Sequence, residues 1–214
     1  MLAKIKICGI MQAQDAARAA GSGAAYLGVV FAGGPRTVSA DAAREVVAAA
    51  AGVPVLGVFA DQRPDEILQI AEACGLSGAQ LHGPHSPADA AHLKANGLEV
   101  WRVVHLARPS DLDLLNNAEI GSDAVLVEPR VPHARGGTGV SLDLSLACEA
   151  RRRLHGSRMV LAGGLRPENV GAVLAQVRPE IVDVSSGVEC LPGIKDAHRI
   201  TRFVEAVFAH SSDT

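Results

Sequence analysis

Eight short runs of aliphatic and β-branched residues alternate along this chain with eight Ala- and Leu-rich stretches of helical period, and that alternation leaves few folds open. The runs fall at 3–8, 24–31, 54–59, 78–81, 98–104, 123–127, 158–162 and 180–185. The helical patterns lie near 12–22, 40–51, 64–74, 86–96, 141–155, 167–176 and 195–209, with a weaker one near 110–118. Several carry start signals: Ser39 before ADAAREVV, Arg63-Pro64 before DEIL, Ser86-Pro87 before ADAAHL, and Arg166-Pro167 before ENVGAV. Strand-then-helix units in unbroken series predict an α/β fold, a small (β/α)8 TIM barrel, with a doubly wound open sheet as the competing arrangement.

Nothing in the chain interrupts the series. No linker or low-complexity segment divides it, and with 48% apolar residues over 214 positions the expectation is one barrel domain spanning 1–214. Twenty basic residues against 23 acidic ones, with only 3% aromatics, argue against a nucleic-acid partner, which needs basic stripes and stacking rings. The run Arg151, Arg152, Arg153 reads as a solvated helix face. No stretch approaches the roughly 20 apolar residues of a membrane span, and AKIKIC near the N-terminus shows no signal-peptide pattern, so a cytoplasmic protein without a membrane partner is expected. Cys8, Cys74, Cys148 and Cys190 are scattered without a CxxC spacing and are expected to be free thiols.

Parity sorts the strand residues. In a barrel, alternate side chains face the lumen and the surrounding helices, and the helix side demands apolar groups. On the first strand Ile5 and Ile7 go outward, leaving Lys6 and Cys8 to the lumen. On the eighth, Val182 and Val184 go outward, leaving Asp183 and Ser185 inside; on the sixth, Val125 and Val127 go outward and Glu128 faces in. The same rule sends Gln80 and His82 inward from the fourth strand and Arg102 from the fifth. So many polar groups are costly to bury unless they pair or act on a ligand, and Lys6 with Asp183 is one candidate pair.

Barrel enzymes build their sites at the carboxyl ends of the strands, and Cys8, His82 and Glu128 all stand at such ends. The last two strands run into LAGGLRPEN and VSSGVE. There Gly163-Gly164 and Ser186-Gly187 place flexible backbone ahead of helical stretches, where free N–H groups and the helix dipole favour an anion. Two such loops after strands seven and eight are a phosphate signature, so the expected partner is a small phosphosugar. His82 and His85 form an HxxH, but no Cys or carboxylate cluster accompanies them in sequence. No metal site is expected; His82 is read as lining the pocket or satisfying a core hydrogen bond. His133 and Arg135 could close over a substrate or simply stand in an exposed loop.

KICGI at 6–10, GPR at 34–36, QLHG at 80–83, GGTG at 136–139, LAGGLRPENV at 161–170, VDVSSGVE at 182–189 and GIKD at 193–196 together resemble phosphoribosylanthranilate isomerase over nearly the whole chain. The resemblance implies a (β/α)8 barrel of tryptophan biosynthesis. Its reaction is the Amadori rearrangement of N-(5'-phosphoribosyl)anthranilate to 1-(2-carboxyphenylamino)-1-deoxyribulose 5-phosphate, without cofactor or metal. It makes Cys8 the general base, Arg36 a contact to the anthranilate end, and the two glycine loops the phosphate cradle. Glu128 stands where that family has an aspartate as general acid, which is the main departure. Gly33 and Gly34 precede Pro35-Arg36 where the family pattern often has a serine, which adds freedom to that loop.

The chemistry needs one acid and one base. The sugar ring opens when its oxygen gains a proton, and the Schiff base then loses its C2' proton to give an enolamine. A glutamate in place of aspartate moves the carboxyl by about one bond length, and misplacement by about 1 Å can cost roughly a hundredfold in rate. Pro129 holds Glu128 in extended backbone and helps to aim it. The reading is that Glu128 still serves as the acid, with a pKa raised enough to hold a proton at neutral pH, and that Cys8 gains from a lowered one. The alternatives are a barrel of broader sugar-phosphate specificity, including the aminoaldose of histidine synthesis, and a phosphate-ligand binder that has lost catalysis. Either a monomer or a homodimer fits.

Overall fold

The computed structural model describes residues 2–130 and 142–212. Eight parallel strands close into one barrel in chain order: β1 Lys4–Ile7, β2 Tyr26–Val30, β3 Val55–Phe59, β4 Gly78–Leu81, β5 Glu99–Leu106, β6 Ala124–Pro129, β7 Arg158–Leu161 and β8 Ile181–Val184. Closure is made by β1 against β8, with Lys6 opposite Asp183 in register. The helices between them are α1 Ala13–Gly21, α2 Ala40–Ala49, α3 Pro64–Cys74, α4 Pro87–Ala95, α5 Leu114–Glu119, α6 Leu144–Arg153, α7 Val170–Val177 and α8 Ala197–Ser212. The eightfold alternation of the sequence thus becomes the expected TIM barrel, and the open sheet is excluded by the β1–β8 pairing. No helix among the described residues is long and apolar enough to cross a membrane.

Local chemistry starts the helices where the sequence signals it. Ser39 accepts from the Ala42 N–H, and Ser86 and Asp89 form a reciprocal capping box ahead of α4, with Pro64 and Pro87 in the first turns. One start is later than expected. Pro167 stands in a turn and α7 begins at Val170, because the Asn169 side chain takes the Arg166 N–H at 2.9 Å and gives its own N–H to the Gly164 carbonyl at 2.9 Å. Those bonds tie the loop after β7 into a fixed shape. A short antiparallel hairpin, β9 Glu189–Leu191 with β10 Ile194–Lys195, lies between β8 and α8 and was not visible in the apolar pattern.

Two apolar regions flank the barrel wall. Ile5, Ile7, Val125, Val127, Val182 and Val184 join the large outer core between sheet and helices. Tyr26, Leu56, Trp101, Leu126, Val160 and Ile181 fill the lumen. Burial of this kind contributes about 25 cal/mol per Å² of apolar surface and dominates folding. The parity assignments on β1, β4, β6 and β8 therefore hold.

Arg102 is a correction. The strand continues past Val104 to Leu106, and Trp101 takes the lumen position, so Arg102 points outward instead. Its guanidinium donates to the carbonyls of His85, at 2.9 Å, and of Asn117. A large aromatic fills a barrel interior at lower desolvation cost than an unpaired guanidinium, and the outer position gives the charge carbonyl acceptors.

Candidate active site

The site is built on a buried lysine. Lys6 is fully inaccessible and donates to Asp183 Oδ1 at 3.0 Å and to Gln80 Oε1 at 2.9 Å, while its ammonium lies 5.6 Å from the centre of the Trp101 ring. Burial alone disfavours that charge, but the Asp183 carboxylate, helped by Cys8 when it is ionised, outweighs it and holds the Lys6 pKa above its ordinary value. Lys6 is thus a paired cation in the layer below the mouth, and Asp183 is its counter-ion.

Two residues beyond Lys6, just past the end of β1, Cys8 reaches the mouth, buried, with its thiol beside Lys6 and Gly28. Burial pushes its pKa up and the Lys6 charge only partly opposes this, so the thiol holds its proton more firmly than a free cysteine. The lowered value that would favour a base is not what the free protein provides. Above Cys8, Arg36 lies across Gly9 and grips Glu189 through Nε and a terminal nitrogen, both at 2.7 Å. Glu189 also accepts from Lys195 Nζ at 2.8 Å, and Lys195 in turn reaches the Ser185 carbonyl at 3.2 Å. For Glu189, burial raises the pKa, but Arg36 and Lys195 overcome this and lower it. Arg36 arrives in this position from the loop in which Gly33 and Gly34 both take left-handed backbone.

At the other side of the mouth Glu128 is buried at the end of β6. Its Oε1 lies 3.1 Å from His82 Nε2 and 3.1 Å from His105 Nδ1, and the two imidazoles meet edge to face, 5.1 Å between centres. The His82 contact is close but off-line: among the described residues neither of its buried ring nitrogens has a partner in hydrogen-bonding geometry, so the contact is electrostatic rather than a directed bond. Burial raises the Glu128 pKa, but His105 and His82 outweigh it and bring it down to about 2. This corrects the expectation of a raised value. The carboxylate is ionised in the free protein, because two imidazoles face one oxygen.

The phosphate-type loops come together on the third side. Gly163 and Gly164 both adopt left-handed backbone, and a Cβ on Gly187 would stand 1.9 Å from the Leu165 carbonyl oxygen, so only glycine lets the two loops touch. Gly164, Arg166, Ser186, Gly187, Arg199 and Arg202 are among the residues lining a cavity of about 420 Å³ there. Ser186–Val188 forms a single 3-10 turn rather than the start of a long helix.

Sequence reasoning placed Cys8, Glu128, His82, Asp183, Ser185 and the glycine loops around one mouth, with Arg36 over it. It passed over His105, Glu189 and Lys195. Continuing the Trp101–Val103 alternation by one step would have found His105. Glu189 and Lys195 stand inside motifs quoted for other reasons, and only the hairpin brings them to Arg36. The HxxH pair does not act together, since His85 Nε2 turns to the Gln62 carbonyl at 2.9 Å. His133, Arg135 and GGTG at 136–139 lie outside the described residues.

Comparison with known proteins follows the same lines. The family model described as N-(5'phosphoribosyl)anthranilate (PRA) isomerase matches residues 5–206. An N-(5'-phosphoribosyl)anthranilate isomerase of Chlorobaculum tepidum is 42% identical over 217 residues, covering 96% of this chain and 95% of its own. One from Pseudomonas aeruginosa is 39% identical over 214 residues, covering 98% and 97%. Among solved structures, the phosphoribosyl anthranilate isomerase of Thermotoga maritima superposes with a TM-score of 0.87 at 33% identity, covering 97% of this chain and 100% of that one. A phosphoribosyl anthranilate isomerase in complex with reduced 1-(o-carboxyphenylamino)-1-deoxyribulose 5-phosphate does so with a TM-score of 0.84 at 32% identity, covering 97% and 100%.

Proposed function

Because the chain belongs to the N-(5'-phosphoribosyl)anthranilate isomerase family, an enzyme family of tryptophan biosynthesis, we propose that Cys8 and Glu128 are the base and the acid of its Amadori rearrangement. The observation that carries the assignment is their placement. Two buried proton-exchanging groups stand at the carboxyl ends of β1 and β6 of one closed barrel, with the glycine loops after β7 and β8 between them in the ring.

The loops at Gly163-Gly164 and Ser186-Gly187 hold the substrate phosphate through backbone N–H groups, with Arg166, Arg199 and Arg202 supplying positive charge nearby. Arg36, fixed by Glu189, presents its guanidinium face to the aromatic ring. Glu128, with His82 and His105 at its oxygen, delivers a proton to the furanose ring oxygen; the C–O bond breaks and the nitrogen lone pair forms the protonated Schiff base. The ionised carboxylate of the free protein obtains that proton through its imidazole neighbours, so the three groups act as one acid. Cys8, as thiolate, removes the C2' proton, the electrons move to the iminium nitrogen, and the resulting enolamine tautomerises to the ketone. Lys6 sets the charge below Cys8, and Asp183, its counter-ion, stands with Ser185 among the residues that line the substrate.

Loss of anthranilate fluorescence on adding the purified protein to N-(5'-phosphoribosyl)anthranilate measures turnover. Cys8→Ala and Glu128→Gln should each remove most of it, and Glu128→Asp should keep or raise it. Full activity in Glu128→Gln would sink the assignment of the acid.

A further inference from the structure

The cluster at the end of β6 contains more than an acid requires. His82 Nε2 and His105 Nδ1 approach the same Glu128 oxygen, and the ligating atoms of the three residues all lie within 4.8 Å of one another. They come from the ends of β4, β5 and β6, three consecutive strands whose backbones are bonded to each other, so the spacing is fixed by the sheet. The His82 side chain is only 6% exposed, and among the described residues neither of its ring nitrogens has a partner in hydrogen-bonding geometry. A buried, unpartnered imidazole aimed at a carboxylate costs stability unless something supplies the missing contact.

We propose that His82, His105 and Glu128 bind a transition-metal dication of the zinc class, and that the bound ion shuts off turnover. Two imidazole nitrogens and one carboxylate oxygen form a donor set that zinc and its neighbours favour, whereas magnesium and calcium prefer oxygen alone. Three protein ligands leave a fourth position for water, and the partly exposed His105 leaves that position open to the mouth. Cys8 is not part of the set, because its thiol keeps its proton and stands beside the Lys6 ammonium, which repels a dication. The blocking effect rests on Glu128 being the acid: an oxygen committed to a metal cannot carry the proton for the sugar. Binding itself does not depend on that reading.

Cobalt(II) is the probe, because its visible absorption reports a nitrogen- and oxygen-ligated ion without any substrate. Titration of the purified protein should give a saturable spectrum of one equivalent that zinc(II) displaces. His105→Asn and Glu128→Gln should weaken binding by more than the roughly 10–100-fold that loss of an outer-shell partner costs, and Cys8→Ser should bind as the parent does. Circular dichroism establishes that each variant is folded, and the near-isosteric Glu128→Gln decides the matter if His105→Asn is not. No cobalt spectrum in the parent protein, an unchanged one in Glu128→Gln, or loss in Cys8→Ser would overturn the site. In a separate turnover assay zinc(II) should inhibit and a chelator restore activity. A rate that is unchanged or higher with the site filled would overturn the blocking effect while leaving the binding result standing.

Discussion

Gly28 lies directly against the Cys8 thiol: a Cβ built at Gly28 would stand 2.8 Å from Sγ and 3.2 Å from Lys6 Nζ. Lys6 is clamped by Asp183 and Gln80, so the Cys8 side chain, just past the end of the adjoining strand, is the neighbour that must give way. Gly28→Ala should therefore displace the base. A shift of about 1 Å costs on the order of a hundredfold in rate, so kcat should fall far more than thermal stability does. Equal kcat values in steady-state assays of the two proteins would refute this.

Breaking the Lys6–Asp183 pair leaves a buried charge without compensation. Lys6→Met should destabilise the protein by roughly 3–5 kcal/mol, read as a lowered urea midpoint. An unchanged midpoint would mean that the pair contributes nothing net to the barrel.

The buried Glu189 binds two cations, and its folded pKa lies below the unfolded value. Its contribution is therefore fully present above the ordinary glutamate pKa of about 4.3 and is lost as the pH falls through the lower folded value. Glu189→Gln should cost on the order of 3 kcal/mol near neutrality. The difference in Tm from the parent should shrink steadily once the pH drops below the ordinary glutamate range. A gap that stays constant down to strong acid would remove the ion-pair explanation.

Cys8 holds its proton above the ordinary thiol range because it is buried. The mechanism needs Cys8 ionised while the Glu128 cluster carries a proton, the reverse of the free protein, so the productive form is a constant minor fraction between the two ionisations. kcat/KM should therefore stay level past pH of about 8.5 and fall only where the buried thiol ionises. A fall that begins below that pH would show that the base is some other group or that bound phosphate resets the thiol.

The barrel was legible because eight apolar runs and eight helical periods are repeated signals, each supporting the next. Lumen residues were legible wherever both neighbours were aliphatic, as with Lys6 between Ile5 and Ile7 or Asp183 between Val182 and Val184. On β5 the signal failed. Arg102 is flanked by Trp101 and Val103, and an aromatic suits either side of the wall, so the phase could not be set and His105 was lost with it. The charge state of Glu128 was equally out of reach, because it depends on two imidazoles brought in from β5 and the loop after β4. Parity gives a direction for each side chain. It does not give the company a side chain keeps.

Lys6 also has a mechanical consequence. Its ammonium joins Asp183 on β8 to Gln80 on β4, walls that stand apart around the ring. It is a strut across the bore, and it is rooted in the same strand that carries Cys8. Two polar bonds of fixed length therefore help to set the width of the opening above it, beside the apolar side chains that fill the lumen. The gap across which a proton leaves the sugar and another arrives is gauged from below, by a residue that never meets the substrate.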